Sequence, residues 1–348
     1  MTRYKRFVKL QIHYFSGTGY SRNVAIVLQQ EALAVGMEVE LIDLSRTDRL
    51  HIQSPANDAF IVFVSPVHGF NYPPVMLHYL FRFPKGRNNV MLMNTRAGML
   101  IGKWVTPGIS GVSLYLSALI LRFKGYSIQA LYPVDLPSNW ISIHPALNKR
   151  TVDFIYTKTL PKVRILAESV FAGKKNFWSV RECLIDVLVA PIAVLYYLVG
   201  RFVIAKTFYA SKDCTKCGLC EQTCPIHAIK TVDARPFWTF KCESCMMCMN
   251  NCPKRAIETA HGFVVAVAAG FSFLLSAVLY RYFDFSFIIQ NKVLDFIFEN
   301  IFFVALLAVF YRLFHYLLRF CWFERVAAFT SLTKFKFWGR YKAWKLRL

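Results

Sequence analysis

Cys214-Thr215-Lys216-Cys217-Gly218-Leu219-Cys220-Glu221-Gln222-Thr223-Cys224-Pro225 is answered by Cys242-Glu243-Ser244-Cys245-Met246-Met247-Cys248-Met249-Asn250-Asn251-Cys252-Pro253. Each cysteine of the first phrase recurs 28 residues later in the second, and together they hold eight of the chain's ten cysteines. This is the bacterial spacing for two [4Fe–4S] clusters. Three thiols at intervals of three can take three corners of one cube. The fourth, turned away by its proline, ligates the other cube. The expectation is one cluster on Cys214, Cys217, Cys220 and Cys252, and another on Cys242, Cys245, Cys248 and Cys224. Zinc sites favour paired C-x-x-C half-sites. Disulfide frameworks favour short secreted chains. Ala228-Ile229 and Ala256-Ile257 should pack symmetrically around the cubes, with a hairpin across Ile229–Lys241 between the copies. Cys183 and Cys321 fall outside the repeat and read as small buried apolar side chains.

The 348 residues are enough for two or three domains. The chain is 55% hydrophobic, with a mean hydropathy of +0.36 and a formal charge of +22. A basic balance suits nucleic acid or an anionic membrane surface. The apolar excess favours the membrane, and no nucleic-acid-binding motif is present, so no nucleic-acid partner is expected. The basic start, Met1–Lys9, could mimic a signal peptide. Lys9, Gln11 and His13 break the apolar run that follows it, and no small-residue cleavage site comes after. The amino terminus is therefore expected in the cytoplasm, where thiols stay reduced.

Residues 7–15 read as a strand, followed by Ser16-Gly17-Thr18-Gly19-Tyr20-Ser21 and a helix from Arg22 to about Val35. Strand, tight polar loop and helix start form the layout of a phosphate site, where glycines admit the anion and helix-start amides face it. The Lys of a Walker P-loop is missing, and so is the G-x-G-x-x-G fingerprint. Further strands are expected at Val39–Asp43, Phe60–Val64, Val90–Met93 and Ile128–Tyr132, with a helix at Val112–Lys124. Such alternation implies a doubly wound parallel sheet. Loops 65–72 and 94–98 would follow its third and fourth strands.

These parts together resemble the flavodoxin–ferredoxin fusion family, over roughly residues 7–145 and 207–260. The Ser-Gly-Thr-Gly loop, Pro66-Val67-His68-Gly69, Leu136-Pro137-Ser138-Asn139 and the cysteine phrases carry the resemblance. It implies FMN at the switch point between strands 1 and 3. The phosphate would lie on Ser16, Gly17, Thr18, Gly19, Tyr20 and Ser21. The ring would lie among Pro66, Val67, His68, Gly69, Phe70, Asn94, Thr95, Arg96 and Gly98. An aromatic is common where His68 stands, so Phe70, Tyr72 or His68 would face the ring. Arg96 would either stabilise the reduced ring from its pyrimidine edge or face solvent.

Residues 262–280 carry no charge, and 19 helical residues span ~28 Å, close to the hydrocarbon thickness. Residues 296–318 form a second apolar segment, containing Glu299, Arg312 and His315. Both are expected to cross the membrane, the alternative being a buried helical hairpin. The tail after residue 318 is basic and aromatic, suited to anionic lipid. Lys254 and Arg255 before the first span place both ends in the cytoplasm. Between Asp186 and Arg201 lie only 14 uncharged residues, interrupted by Pro191. That is short for a span, and a single crossing there would separate flavin from clusters. Residues 184–204 therefore read as an interfacial or docked helix pair.

The expected architecture is an α/β flavodoxin-like doubly wound parallel sheet (1–145) and a helical linker (146–206), then an α+β dicluster ferredoxin domain (207–260). A transmembrane helical hairpin (261–318) and a cytoplasmic tail (319–348) complete it. The function expected is membrane-anchored electron transfer at the cytoplasmic face of a bacterial inner membrane. The alternatives are a flavin-dependent reductase of a small molecule or quinone, for which His68 is the only tempting acid–base residue, and a redox sensor or assembly factor. Residues 205–260 hold eight Lys and Arg against five Asp and Glu, which favours an acidic redox partner or the membrane surface. The sequence leaves the donor, the acceptor and the oligomeric state open.

Overall fold

A computed structural model describes residues 8–274, 281 and 291–340. The chain forms two compact units. One is drawn from residues up to Asn139 and from Ala146–Tyr197, the other from Trp140–Pro145 and Leu198–Arg340.

The first unit is built on a sheet of β1 (Lys9–Tyr14), β2 (Glu38–Asp43), β3 (Ala59–Pro66), β4 (Asn89–Ile101), β5 (Trp104–Thr106) and β6 (Ser127–Pro137). The parallel order is β2-β1-β3-β4-β6, and β5 pairs antiparallel with the far end of β4. With β6 counted as the fifth parallel strand, this is the flavodoxin-like order, whose switch point lies between β1 and β3. β3 is buried along nearly its whole length, as a central parallel strand covered on both faces should be. The covering helices are α1 (Tyr20–Ala34), α2 (Pro74–Arg82), α3 (Ser113–Phe123) and α4 (Lys149–Phe171). α4 starts at Asn148, whose side chain accepts from the Thr151 amide, an N-cap that satisfies one orphan donor.

Two expectations need correcting here. Residues 149–171 are not linker: α4 packs on α1 and β6 and buries Ile155, Val163 and Ala167. Residues 94–98 are not a loop after a short strand. β4 runs on, pairing Asn94–Gly98 with Pro133–Pro137, because Arg96 has Asp135 as its cross-strand neighbour and binds it.

The second unit carries the cysteine repeat in its backbone. β7 (Phe208–Ala210) pairs with β10 (Ile257–Thr259), and β8 (Ile229–Val232) pairs with β9 (Arg235–Trp238), both antiparallel. Adding 28 to Ala210 and subtracting 28 from Ile257 turns the pair Ile257–Ala210 into Ile229–Trp238, which is the observed register of the other ladder. The expected hairpin between the copies is the β8–β9 ladder, turned by Asp233 and Ala234, both at positive φ.

A helix, His261–Phe273, runs against a longer one, Lys292–Leu317. They are antiparallel: Phe263 meets Phe314 at 4.6 Å and Phe271 meets Phe303 at 5.0 Å. Lys292–Leu317 is the one helix among the described residues long and apolar enough to cross a membrane by itself. Its early turns are exposed at Phe296 and Ile301, while Leu307, Tyr311, Phe314 and His315 are buried. Phe314 packs with Tyr209, Ala260, Leu318 and Ala327. Of the span expected at 262–280, residues 275–280 lie outside the described residues, as do Lys342, Lys345 and Arg347 of the tail.

The described part of that tail is not free for lipid along its length. Arg340 pairs with Glu258 in a buried contact of 2.8 Å, and Lys334 pairs with Asp213 at 2.5 Å. The Trp338 indole donates to the Ile141 carbonyl at 2.6 Å. Residues 332–340 thus strap the cysteine-bearing core, and β10 supplies the buried acid that holds Arg340.

Candidate iron–sulfur and flavin sites

Three residues in or just after each cysteine phrase adopt left-handed backbone: Lys216, Gly218 and His227 with the first, Ser244, Met246 and Arg255 with the second. They correspond pairwise across the 28-residue repeat. Non-glycine residues rarely take this conformation, and its recurrence at five such positions marks a backbone shaped by a site. The turns aim the thiols inward. The Ala228 amide donates to Cys224 Sγ at 3.2 Å and the Ala256 amide to Cys252 Sγ at 3.3 Å. These are equivalent bonds, made by the repeated alanines. Ala228, Ile229, Ala256 and Ile257 are all buried.

Cys214, Cys217, Cys220 and Cys252 line one cavity, with Cys248 at its wall. Burial pushes the Cys220 thiol up to about 11, and the neighbouring Cys214 and Cys252 push it the same way. Burial likewise raises Cys242, Cys245 and Cys248, and each has Cys224 among its neighbours. The fourth cysteine of each phrase thus stands with the first three of the other. Thiols raised this way do not ionise readily by themselves; a coordinated metal core supplies the charge that removes their protons. The donor set therefore fits such a core. Among the described residues no three His, Cys, Asp or Glu side chains converge on a point suited to a single ion. Cys183 and Cys321 are exposed, not buried as expected. Their chain neighbours Leu184 and Trp322 are exposed as well.

Lys206 lies within the same unit and was not singled out by its sequence. It is 2% exposed. Its ammonium donates to the Trp238 carbonyl at 2.5 Å and lies 4.2, 4.7 and 4.8 Å from the ring centres of Phe240, Tyr311 and Phe237. Desolvation pulls its pKa down to about 8, opposed by the nearby Cys242 sulfur.

In the α/β unit the residues named for a flavin gather at the strand ends around the switch point. Gly19, at φ +101, starts α1, whose first amides lack intrahelical acceptors. Ser16 Oγ accepts from the Gly19 amide at 3.1 Å. Ser21 and Thr95 share a hydroxyl bond of 2.9 Å, and Asn139 donates to Thr18. The Val67 amide donates to the Thr95 carbonyl at 2.9 Å, alongside the Pro66–Thr95 register pair. His68 is buried, and its amide bonds the Asn71 carbonyl at 2.8 Å. Phe70 accepts from the Val112 amide. Gly98 abuts Asp135. Tyr72 is no candidate for the ring: it is buried with its hydroxyl on the Met93 carbonyl at 2.8 Å. Asn94 Oδ1 and Ser65 Oγ are buried with no hydrogen-bond partner among the described residues. Two such atoms on register-paired residues of neighbouring strands suit a polar ligand.

Arg96 neither faces solvent nor offers an uncompensated charge. It is buried, pairs with Asp135 at 2.7 Å, donates to Ser110 at 3.1 Å, and also pairs with Glu182. Glu182 belongs to a segment whose docking the sequence did not reveal. Ser179 accepts from the Tyr115 hydroxyl at 2.6 Å, and Asp186 accepts from the Gly111 amide at 2.7 Å. Tyr196 presses its ring on Gly69, where an added Cβ would come within 2.0 Å of it. The helix pair Trp178–Leu188 and Ala190–Ala205 is bent by 73°. Leu184, Val187, Leu188, Ile192 and Val194 remain exposed. Two acids four residues apart, Glu182 and Asp186, were the available clue to a polar docking face.

Residues 213–257 match the family description "4Fe-4S dicluster domain". The match covers the whole cysteine repeat, and the chemistry of such domains is electron transfer. No curated protein matches the chain. Among solved structures, the chain is similar to rubredoxin oxygen:oxidoreductase from Desulfovibrio gigas, with 18% identity and a TM-score of 0.30 over 46% of this chain. It spans 37% of that protein's length. Flavodoxin 1 from Bacillus cereus gives 13% identity and a TM-score of 0.30, covering 45% of this chain and 97% of the flavodoxin. A flavodoxin from the domain Archaea gives 15% and 0.30, covering 47% and 98%.

Proposed function

We propose that the chain is a membrane-anchored electron-transfer protein that passes electrons between FMN and two [4Fe–4S] clusters. The observation that carries this reading is the doubled thiol phrase held in a doubled backbone, with Cys224 and Cys252 exchanged between the two sets. Bound clusters would supply one-electron transfer, and bound FMN would supply both one- and two-electron chemistry. The chain's own residues do the positioning. Cys214, Cys217, Cys220 and Cys252 hold one cluster, and Cys242, Cys245, Cys248 and Cys224 hold the other. The Ala228 and Ala256 amides bond two of those sulfurs, and such bonds stabilise the more negative, reduced form. The Ser16–Ser21 loop takes the flavin phosphate, while Asn94 and Ser65 offer polar atoms beside the ring.

Anchoring rests on the antiparallel helices His261–Phe273 and Lys292–Leu317 and on the exposed apolar face of residues 184–195. Both redox domains lie on the cytoplasmic face in this reading, with an acidic redox protein as partner. Stepwise anaerobic reduction of the detergent-solubilised protein tests the cofactors. Flavin bands over a broad iron–sulfur shoulder are expected, and a shoulder alone would reduce the reading to an anchored ferredoxin. Protease protection tests the topology: Lys174 and Lys212 should be cut from the same side, and opposite sides would overturn it.

A further inference from the structure

We propose that Lys206 makes the two cluster sites electrically unequal, so that the first electron rests on the cluster held by Cys242, Cys245, Cys248 and Cys224. This rests on the ligand assignment given above. Burying an ammonium is costly unless the charge is compensated. A carboxylate is the usual partner, and among the described residues none lies within ion-pair distance of Lys206. It has three aromatic faces and one carbonyl instead. Rings and a carbonyl orient a cation but bring no net negative charge. The titratable group that acts on it is Cys242, a ligand in the second set. A cube with four thiolates is anionic, and reduction adds one electron and one negative charge. A cation fixed beside it in a poorly solvated site stabilises the reduced form and raises its potential.

The repeat makes the comparison internal. Advancing Lys206 by 28 residues gives Ala234. The next residue, Arg235, donates to the Ala210 carbonyl, the equivalent of Trp238, at 2.8 Å. Arg235 is only half-buried, however, and among the described residues no ring cages it. The cage is equally one-sided, since Tyr311 comes from the long apolar helix, outside the repeat. Lys216, Lys241, Lys254 and Arg255, in or beside the cysteine loops, are exposed, where water and salt screen them. Glu243 is buried beside Cys242 and Cys245 and acts against Lys206 at the same set, so the methionine variant isolates the lysine's own share.

The test is an EPR-monitored redox titration of the purified full-length protein in detergent, comparing the native chain with Lys206→Met and Lys206→Arg. Iron and sulfide content is measured on each sample. The native protein should show two resolved midpoints. Lys206→Met should lower the upper one selectively, by at least a tenfold change in electron partition, which is ~59 mV for a one-electron couple. Lys206→Arg should keep the separation. Cys245→Ser should alter the spectrum of the cluster that shifts. Equal midpoints in the native protein would overturn the proposal even if the methionine variant failed to fold. So would equal movement, or no movement, of both midpoints in a variant that keeps both clusters. Iron for fewer than two clusters in the native protein would instead overturn the ligand reading itself.

Discussion

The cysteine-bearing unit and the α/β unit prepare a site in different ways. In the first, three left-handed residues fall in or just after each phrase, which ends in a Cys–Pro corner, and the thiols converge with few alternative partners. In the second, most named groups already bond one another: Ser21 to Thr95, Asn139 to Thr18, Arg96 to Asp135 and Glu182. A thiol site is specified by residue identity, because little else at that spacing does the same chemistry. A flavodoxin-like switch point is specified by topology, and its polar residues also serve the fold. Substitutions should therefore remove a cofactor in one unit and loosen structure in the other.

Cys245→Ala should give the largest effect. The chain should lose the cluster on the second set, and its iron and sulfide content should fall by about half. Loss of both clusters would show that the sites depend on each other. Arg96→Gln should act on the fold. Removing one partner from a buried ion pair costs about 3–5 kcal/mol, and Asp135 and Glu182, about a quarter exposed, place this one at the low end. Calorimetry should show a lower unfolding temperature for the α/β unit with the iron–sulfur spectrum unchanged. A shifted flavin potential without destabilisation would restore the electrostatic role, one of the two the sequence left open.

The legibility of the two units follows the same division. The eight thiols, the hairpin between the phrases and the alternating strands and helices were all readable, because spacing and hydrophobic periodicity carry them. What was missed depends on partners distant in sequence. Arg96 lies 39 residues from Asp135 and 86 from Glu182, so nothing local distinguishes a loop arginine from a cross-strand ion pair. The strap made by Lys334, Trp338 and Arg340 looked like a lipid-binding tail, since its acceptors, Asp213, Ile141 and Glu258, lie far back along the chain. Lys206 is a single lysine until Tyr311 arrives from another helix.

Gly69→Ala addresses the segment across the switch point more gently. The new methyl must displace the Tyr196 ring, at a backbone position of φ +55. Overpacking of this kind costs about 1–3 kcal/mol. Hydrogen exchange should quicken in residues 178–197 while the cysteine-bearing unit is unaffected. Unchanged exchange would mean that Tyr196 contributes nothing to holding the segment down.

The smallest effect concerns Asp186, buried with its carboxylate on the Gly111 amide. Burial raises its pKa above the ordinary range for an aspartate, opposed by that amide bond. An acid whose folded pKa is raised binds its proton more tightly in the folded state. Its contribution is therefore complete below the unfolded value and is lost as pH rises through the folded one. Exchange at Gly111 should accelerate as pH rises through that window, after correction for intrinsic chemistry. Asp186→Asn keeps an acceptor for the amide and removes the charge, so the corrected rate should become flat with pH. A variant that retained the native pH dependence would move the titration to another group.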